Sequence, residues 1–419
     1  RVASSMVAGA LGANFLSLRP HRPTLGQRVA GAALVGVLSF LVAAPMAIAA
    51  NFTYTTAGLV NAIFDPSDAQ SATKPTITNQ ADPWADKARL NVLILGGDSG
   101  NDRAASLGDR TDTVILASID TKTGASTLFS LPRNTARMPF PADSALHKYY
   151  PNGFYDGVNP ANANYFLNAM YRTVPARVPH DALGQTKNFA ADVMKLSVGE
   201  ALGLDVDYYV KVNMDGFKDF INALGGITVN VNYRVPIGGQ TDAHILPDSY
   251  IEPGPNQHLK GRLALWYARG RYGLDDYSRM ERQRCVINAV VQQASPQNVL
   301  LNYQKVAQAG EKTIQTDIPR SMLPAMLTLA DRVHGTTLRS VVFRAGDGGW
   351  VSANPNWAAV KTRVKKALKE SAASAAKPSA SATASATAKP STSAKPSASP
   401  TTKAKSDDLD NECAYHPAE

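Results

Sequence analysis

"YYVKVNMDGFKDFINALGGITVNVN", residues 208–232, is the stretch from which the fold class follows. "YYVKVN" (208–213) reads as a strand, "MDGFKDFINALGG" as a helix stopped by two glycines, and "ITVNVN" (227–232) as a second strand. Strand, helix, Gly-Gly stop and strand is the βαβ signature. Working outward, "NVLILGG" (91–97) is a short apolar run ended by glycines, as a buried strand is. "TDTVILASID" (111–120) and "ASTLFSLP" (125–132) follow closely and read as paired strands. Further on, Ser278 with Glu281 three residues later reads as a capping box. It opens a helix that continues through "CVINAVVQQA". Residues 297–334 and 356–369 read as further helices, and "LRSVVF" (338–343) as a strand. The fold class is α/β, with a mixed central sheet flanked by helices and a folded start near Leu90.

The chain has 419 residues, 44% of them hydrophobic, enough for a sizeable core. Its net charge of +9 invites a nucleic-acid reading, so the distribution matters. Residues 1–28 contribute +4 and residues 361–419 another +4, which leaves +1 for 29–360. The basicity sits in the ends, which argues against a nucleic-acid surface on the middle.

"VAGAALVGVLSFLVAAPMAIAA", residues 29–50, is a run of 22 uncharged, mostly apolar residues. At about 1.5 Å per residue it spans roughly 33 Å, enough for a bilayer core. Read as a transmembrane helix, with arginines before it, it places 1–28 in the cytoplasm and all that follows outside the membrane. A cleaved signal peptide is the competing reading, because the Ala-rich residues 43–50 resemble a cleavage region. Residues 51–89 read as a juxtamembrane linker and 90–370 as the folded domain. Residues 371–406, built from Ser, Ala, Pro, Thr and Lys, cannot bury a core and are expected to be a disordered spacer. A role in crossing the wall and no role at all both fit that composition. Residues 407–419 return to ordinary composition. An exported location permits a disulfide, and Cys285–Cys413 is the pairing expected, with two independent thiols as the alternative.

Residues 267–284, "YARGRYGLDDYSRMERQR", hold five arginines and no lysine. The flat guanidinium fork suits phosphate and carboxylate better than an ammonium does. On a helix opening after Ser278, Arg279, Arg282 and Gln283 share a face near the N-terminus, where anions are favoured. Arg269 and Arg271, two apart, point the same way if their piece is extended. An anion cradle and an Arg–Asp network that holds a loop are both open here. A second cluster bears on the choice. "GGDSG" (96–100) and "GDRTDT" (108–113) bring Asp98, Arg110 and Asp112 to adjacent strand ends, and "LPRN" (131–134) adds Arg133. Ligands of α/β sheets commonly sit beyond strand ends. Two carboxylates beside several arginines suit a magnesium–phosphate complex; salt bridges pinning strand ends are the alternative. "GDSG" lacks the context of a serine-protease nucleophile loop. There is no P-loop, and the scattered histidines give no zinc signature.

Together "NVLILGGDSG", "RTDTVILASID", "LFSLPRN", "DYYVKVNMDGFKDFINALGGITVNV" and "LALWYARGRYGLDDYSRMERQR" resemble the LytR–CpsA–Psr (LCP) family over roughly residues 90–293. The extension 294–369 and the Ser/Ala/Pro tail look like its actinobacterial branch. The resemblance implies a membrane-anchored, extracytoplasmic α/β catalytic domain. It implies a phosphotransferase, moving a polyprenyl-pyrophosphate-linked glycopolymer onto peptidoglycan through a phosphodiester, with polyprenyl phosphate leaving. It implies that Asp98 and Asp112 hold Mg²⁺ (or Mn²⁺), that Arg110, Arg133, Arg269, Arg271 and Arg279 bind the pyrophosphate, and that Gln283 completes the grip. It also implies a long apolar pocket for the prenyl tail. Arg282 and Arg284 are left as structural or rim charges.

Two departures from the family pattern stand out. Asn134 replaces the acid usual after "PR", which removes a charge that orients Arg133 or the metal. A longer insertion, 143–187, replaces another family segment and is expected to shape acceptor choice. The mechanism implied is attack on the glycan-side phosphorus, with charge building on oxygens faced by Arg110, Arg271 and the metal. Asp98 and Asp112 are equal candidates for the base. A non-catalytic lipid-binding or regulatory role, as in the family's "attenuator" name, and hydrolysis of the pyrophosphate are the alternatives.

Overall fold

The computed structural model describes residues 82–98, 109–159, 161–241, 243–293, 314–334, 336–347, 350–375 and 407–416, with Ser71, Thr73 and Pro75 before them. All lie within the unit Asn61–Glu419. Residues 1–60, the expected basic segment and membrane span among them, lie outside the described residues. Among the described residues no helix is long and apolar enough to cross a membrane.

The strands are β1 (Arg89–Gly97), β2 (Thr111–Asp120) and β3 (Ser126–Ser130). Helices α1 (Ala145–Tyr149), α2 (Leu167–Thr173) and α3 (Phe189–Leu202) follow, then β4 (Tyr208–Val212) and α4 (Met214–Ala223). Next come β5 (Ile227–Val231), β6 (Val235–Gln240), β7 (Ile245–Ile251) and β8 (Gly254–Leu259). Helices α5 (Gly261–Arg269) and α6 (Asp276–Gln293) precede β9 (Ile314–Thr316), α7 (Leu323–His334), β10 (Arg339–Val342) and α8 (Trp357–Ala375). The C-terminal peptide adds β11 (Asp407–Asp408) and α9 (Leu409–Glu412).

Seven strands form the main sheet in the order β11-β10-β3-β2-β1-β4-β9. β1 pairs antiparallel with β2 and parallel with β4, so the sheet is mixed, as expected. β2 and β3 are joined by a turn in which Gly124 has φ +79°, and a Cβ there would stand 2.4 Å from the Arg332 carbonyl oxygen. On one sheet face Leu93 and Leu95 are fully buried against α2, α3 and α8. Each such side chain contributes about 1.5–3 kcal/mol on leaving water. On the other face Val92, Ile94 and Gly96 stay half-buried and line a cavity together with residues of α4–α6.

The stretch 208–232 forms its strand, helix and strand, but not a βαβ unit within one sheet. Asn213 caps α4 by accepting from the Gly216 N–H at 2.7 Å. Gly225 and Gly226, at φ +91° and +110°, then turn the chain away. β5 pairs with β8 in a separate ribbon, and β6 with β7 in another. The free edge of β4 is taken by β9 instead. Asp317, just after β9, accepts from Lys195 and from the Tyr209 N–H, and pins that edge. A helix expected over 297–334 is therefore interrupted by a strand at 314–316; 297–313 lie outside the described residues.

Other boundaries also shift. Trp84 is buried, so the linker 51–89 ends in packed chain. Helix α8 runs five residues into the expected spacer, where Ser371 is buried. Residues 376–406 lie outside the described residues. The expected capping box is three residues off: α6 starts at Asp276, and Asp275 caps it in place of Ser278 by accepting from the Ser278 N–H at 2.6 Å. Ser278 is the third helical residue.

Candidate active site

Gly96 lets β1 and β2 close up, since a Cβ there would meet Thr113 at 2.8 Å. The strand register shifts between Gly96 and Gly97. Asp98 then faces Arg110: its N–H donates to the Arg110 carbonyl at 2.9 Å, and its carboxylate accepts the Arg110 N–H at 2.8 Å. The Arg110 guanidinium reaches Asn164 Oδ1 at 3.4 Å.

Asp112, second residue of β2, accepts from Asn168 Nδ2 at 2.9 Å through one oxygen and pairs with Arg133 Nη1 at 2.8 Å through the other. Arg279 Nη1 stands 3.9 Å from that second oxygen. Asp276 closes the group, 3.2 Å from Arg133 Nε and 3.1 Å from Arg279 Nη2. Two guanidiniums and two carboxylates thus alternate. Burial pushes the Asp112 carboxyl up, but Arg133 and Arg279, with hydrogen bonds from Asn168 and Arg133, outweigh it and hold it below the usual carboxylate range. Burial works to lower Arg133, yet Asp112 and Asp276 raise it. Arg279 is 3% exposed, and burial is the main cause that lowers it.

Asn134 is exposed and does not line the site. Arg133 takes its carboxylates from Asp112 and Asp276, so the missing acid at 134 leaves this pair intact. Asp276, Asn164 and Asn168 are the residues the sequence reading missed. The only signal for Asp276 was its place three residues before Arg279 in a first helical turn. The insertion 143–187 supplies both asparagines, so it braces Arg110 and Asp112.

Arg269 ends α5, with Gly270 beyond it as C-cap, so the extended piece expected for Arg269 and Arg271 is a helix end. Arg271 is exposed and, among the described residues, has no ion-pair partner. Gln283 donates to the Ala268 carbonyl at 3.3 Å. Arg282 points elsewhere: its fork donates to the Tyr267 and Gly270 carbonyls and its Nε to the Tyr233 hydroxyl, which fastens α5 to α6. Arg284 pairs with Glu412.

All eight residues expected at the site line a single cavity of about 1260 Å³: Asp98, Arg110, Asp112, Arg133, Arg269, Arg271, Arg279 and Gln283. Drug-sized ligands occupy about 300–1,000 Å³. Among the described residues, five arginines and Asp98, Asp112 and Asp248 line it, with no lysine. Away from them the walls are apolar: Val92, Ile94 and Ile119 from the sheet, Phe217, Val286 and Val290 from the helices. From Asp112 to Ile119 along β2 is roughly 23 Å.

Residues 54–373 match the family described as LytR_cpsA_psr. The chain belongs to the LytR–CpsA–Psr family. Among curated relatives it is 29% identical, over 55% of its length and 62% of theirs, to the polyisoprenyl-teichoic acid–peptidoglycan teichoic acid transferase TagU of Enterococcus faecalis. It is also 29% identical to biofilm regulatory protein A of Streptococcus mutans, over 60% of this chain and 55% of that one. The chain therefore spans less than two thirds of these relatives. Solved structures that resemble it include the Streptococcus agalactiae protein gbs0355, at 25% identity and TM-score 0.48 over 68% of this chain and 89% of that one. Bacillus subtilis TagV aligns at 24% identity and TM-score 0.45 over 68% and 97%.

Among the described residues no three His, Cys, Asp or Glu side chains converge on a metal position. Magnesium asks for less, since one or two carboxylates suffice when phosphate supplies further oxygens. Asp98 and Asp112 both line the cavity and supply that number of carboxylates. Beside Asp112 the Asn168 side-chain oxygen is buried and, among the described residues, has no hydrogen-bond partner, an acceptor suited to a cation or its water.

Proposed function

We propose that this LCP protein is a phosphotransferase that passes a polyprenyl-pyrophosphate-linked glycopolymer to peptidoglycan during cell-wall assembly. The observation that carries the reading is the cavity: five arginines at one end of an apolar channel long enough for a lipid chain. An isolated sugar or nucleotide leaves such apolar walls unfilled, whereas a prenyl pyrophosphate covers both ends. Relatives named polyisoprenyl-teichoic acid–peptidoglycan teichoic acid transferase support a polyisoprenyl-linked donor and a peptidoglycan acceptor.

In this reading Arg271 and Arg269 meet the pyrophosphate at the open end, and Arg133 and Arg279 lie deeper, held by Asp112 and Asp276. The acceptor hydroxyl oxygen bonds to the glycan-side phosphorus, the bond from that phosphorus to the bridging oxygen breaks, and polyprenyl phosphate departs. The arginines face the oxygens on which charge grows. Asp112 is committed to Arg133 and Arg279, which hold its carboxyl below the usual carboxylate range. The proton of the acceptor hydroxyl goes to Asp98 or Asp112, the two carboxylates beside the arginines. Asp98 and Asp112 would hold magnesium or manganese, which would neutralise charge on the phosphates. The cavity-bearing domain works outside the cytoplasmic membrane, tethered by residues 29–50. The Cys285–Cys413 disulfide suits an oxidising compartment of that kind.

Complementation of a deletion strain tests the enzyme against the binder. An Asp98→Ala/Asp112→Ala variant fails to restore wall-linked polymer if the chain is a transferase, and succeeds if it only binds the lipid.

A further inference from the structure

The C-terminal peptide backs the wall at the end of the cavity remote from the arginines. β11 pairs with β10, and the Leu409 N–H donates to the Leu338 carbonyl at 3.0 Å. The Leu409 side chain is fully buried and packs in one cluster with Leu128, Val333 and Leu338, all three of which line the cavity. Leu128 pairs with Ala117 across β2 and β3, and Ser126, also in the wall, with Ile119. This wall therefore stands at the far end of β2 from Asp112, and Leu409 stands behind it.

The same peptide is bolted to α6. Cys413 is bonded to Cys285, Glu412 pairs with Arg284, and Asp410 accepts from Asn288 at 3.1 Å. On this helix Arg279, Gln283, Val286 and Val290 follow the i, i+4, i+7 spacing of one face and line the cavity. Arg284, Cys285 and Asn288 fall on the opposite face. One helix thus links the anion end of the cavity to the peptide that backs its apolar end.

We propose that the C-terminal peptide 407–416, through Leu409 and the Cys285–Cys413 bridge, sets the length of prenyl chain that the cavity admits. The inference rests on the proposed reading of the cavity as a prenyl pyrophosphate pocket. Leu409 is a positioning residue: it holds Val333 and Leu338 against the cavity and does not itself line it. Without its side chain those two have room to retreat, and the cavity lengthens. The disulfide keeps the peptide seated when a lipid presses on the wall.

Binding of farnesyl, geranylgeranyl, octaprenyl and undecaprenyl pyrophosphate to the full chain, in the presence of magnesium, tests this. The native protein is compared with Leu409→Ala and with native protein whose disulfide is reduced. The expected result is a shift toward longer chains in both altered forms. The ratio of undecaprenyl to farnesyl affinity rises by about tenfold, the effect of one or two more buried methylene groups. Farnesyl pyrophosphate itself binds unchanged. If the affinities for all four scale together, or none moves, the C-terminal peptide does not set chain length. If the native protein binds none of the four, the reading of the cavity falls as well.

Discussion

Arg133 lies 2.8 Å from Asp112, so the guanidinium expected to grip phosphate also holds the carboxylate expected to hold a cation. Asp276 stands on the other side of Arg133, at 3.2 Å, and beside Arg279 as well. The arginines are thus oriented before any substrate arrives, which saves the cost of ordering them at the moment of reaction.

Asp276→Asn removes one of the two carboxylates and leaves two guanidiniums sharing Asp112. The transfer rate falls by about ten- to a hundredfold, as for displaced positioning groups, while the far-UV circular dichroism stays native. A steady-state comparison with the native chain measures it. An unchanged rate removes Asp276 from the site.

Arg271→Lys and Arg282→Lys separate binding from architecture. The first replaces an exposed fork by a point charge, and activity drops by about 10²–10³-fold with little change in unfolding midpoint. The second breaks the fork that bridges the Tyr267 and Gly270 carbonyls. Its main effect is on stability, about 1–3 kcal/mol, read by chemical denaturation.

The disulfide spans a sequence separation of 128 residues. Replacing both cysteines by alanine costs about 2–5 kcal/mol, measured as a lower urea midpoint that reductant no longer changes. In the native protein, reductant lowers the midpoint by a like amount.

The Asp112 carboxyl is held below its ordinary range when folded. Its contribution to stability is present above its unfolded value, about 3.9, and is lost as pH falls through the folded value. In denaturant titrations without divalent ions, the native chain exceeds Asp112→Asn at pH 6, and the gap narrows below about pH 4. A gap that widens on acidification contradicts the pairing with Arg133.

The strands at 91–97, 111–120 and 208–213 were legible because apolar runs ended by glycines or turns carry their own signal. So was the chemistry of the arginines, because a lysine-free cluster narrows what a cation cluster is for. The partner of β5 was not legible. Whether a strand joins the sheet or turns aside depends on who occupies the edge of β4, and β9 comes about a hundred residues later. Asp276 was hidden for a similar reason. In sequence it is one acid of a polar loop, and only the closing of β2, the segment after β3 and α6 together puts Arg133 and Arg279 beside it. The start of α6 was misread because Asp275 and Ser278 are both good capping residues, and burial of Arg279 favours the earlier start.

The most direct test is transfer itself. The purified, oxidised full chain is given magnesium, a radiolabelled polyprenyl-pyrophosphate glycopolymer and peptidoglycan fragments, and the products are separated. The account predicts label joined to peptidoglycan through a phosphodiester, with equimolar polyprenyl phosphate released, and loss of both in Arg271→Lys. Polyprenyl phosphate released with free phosphorylated polymer would mark a hydrolase, and donor bound but unchanged would mark a binding protein; either contradicts it.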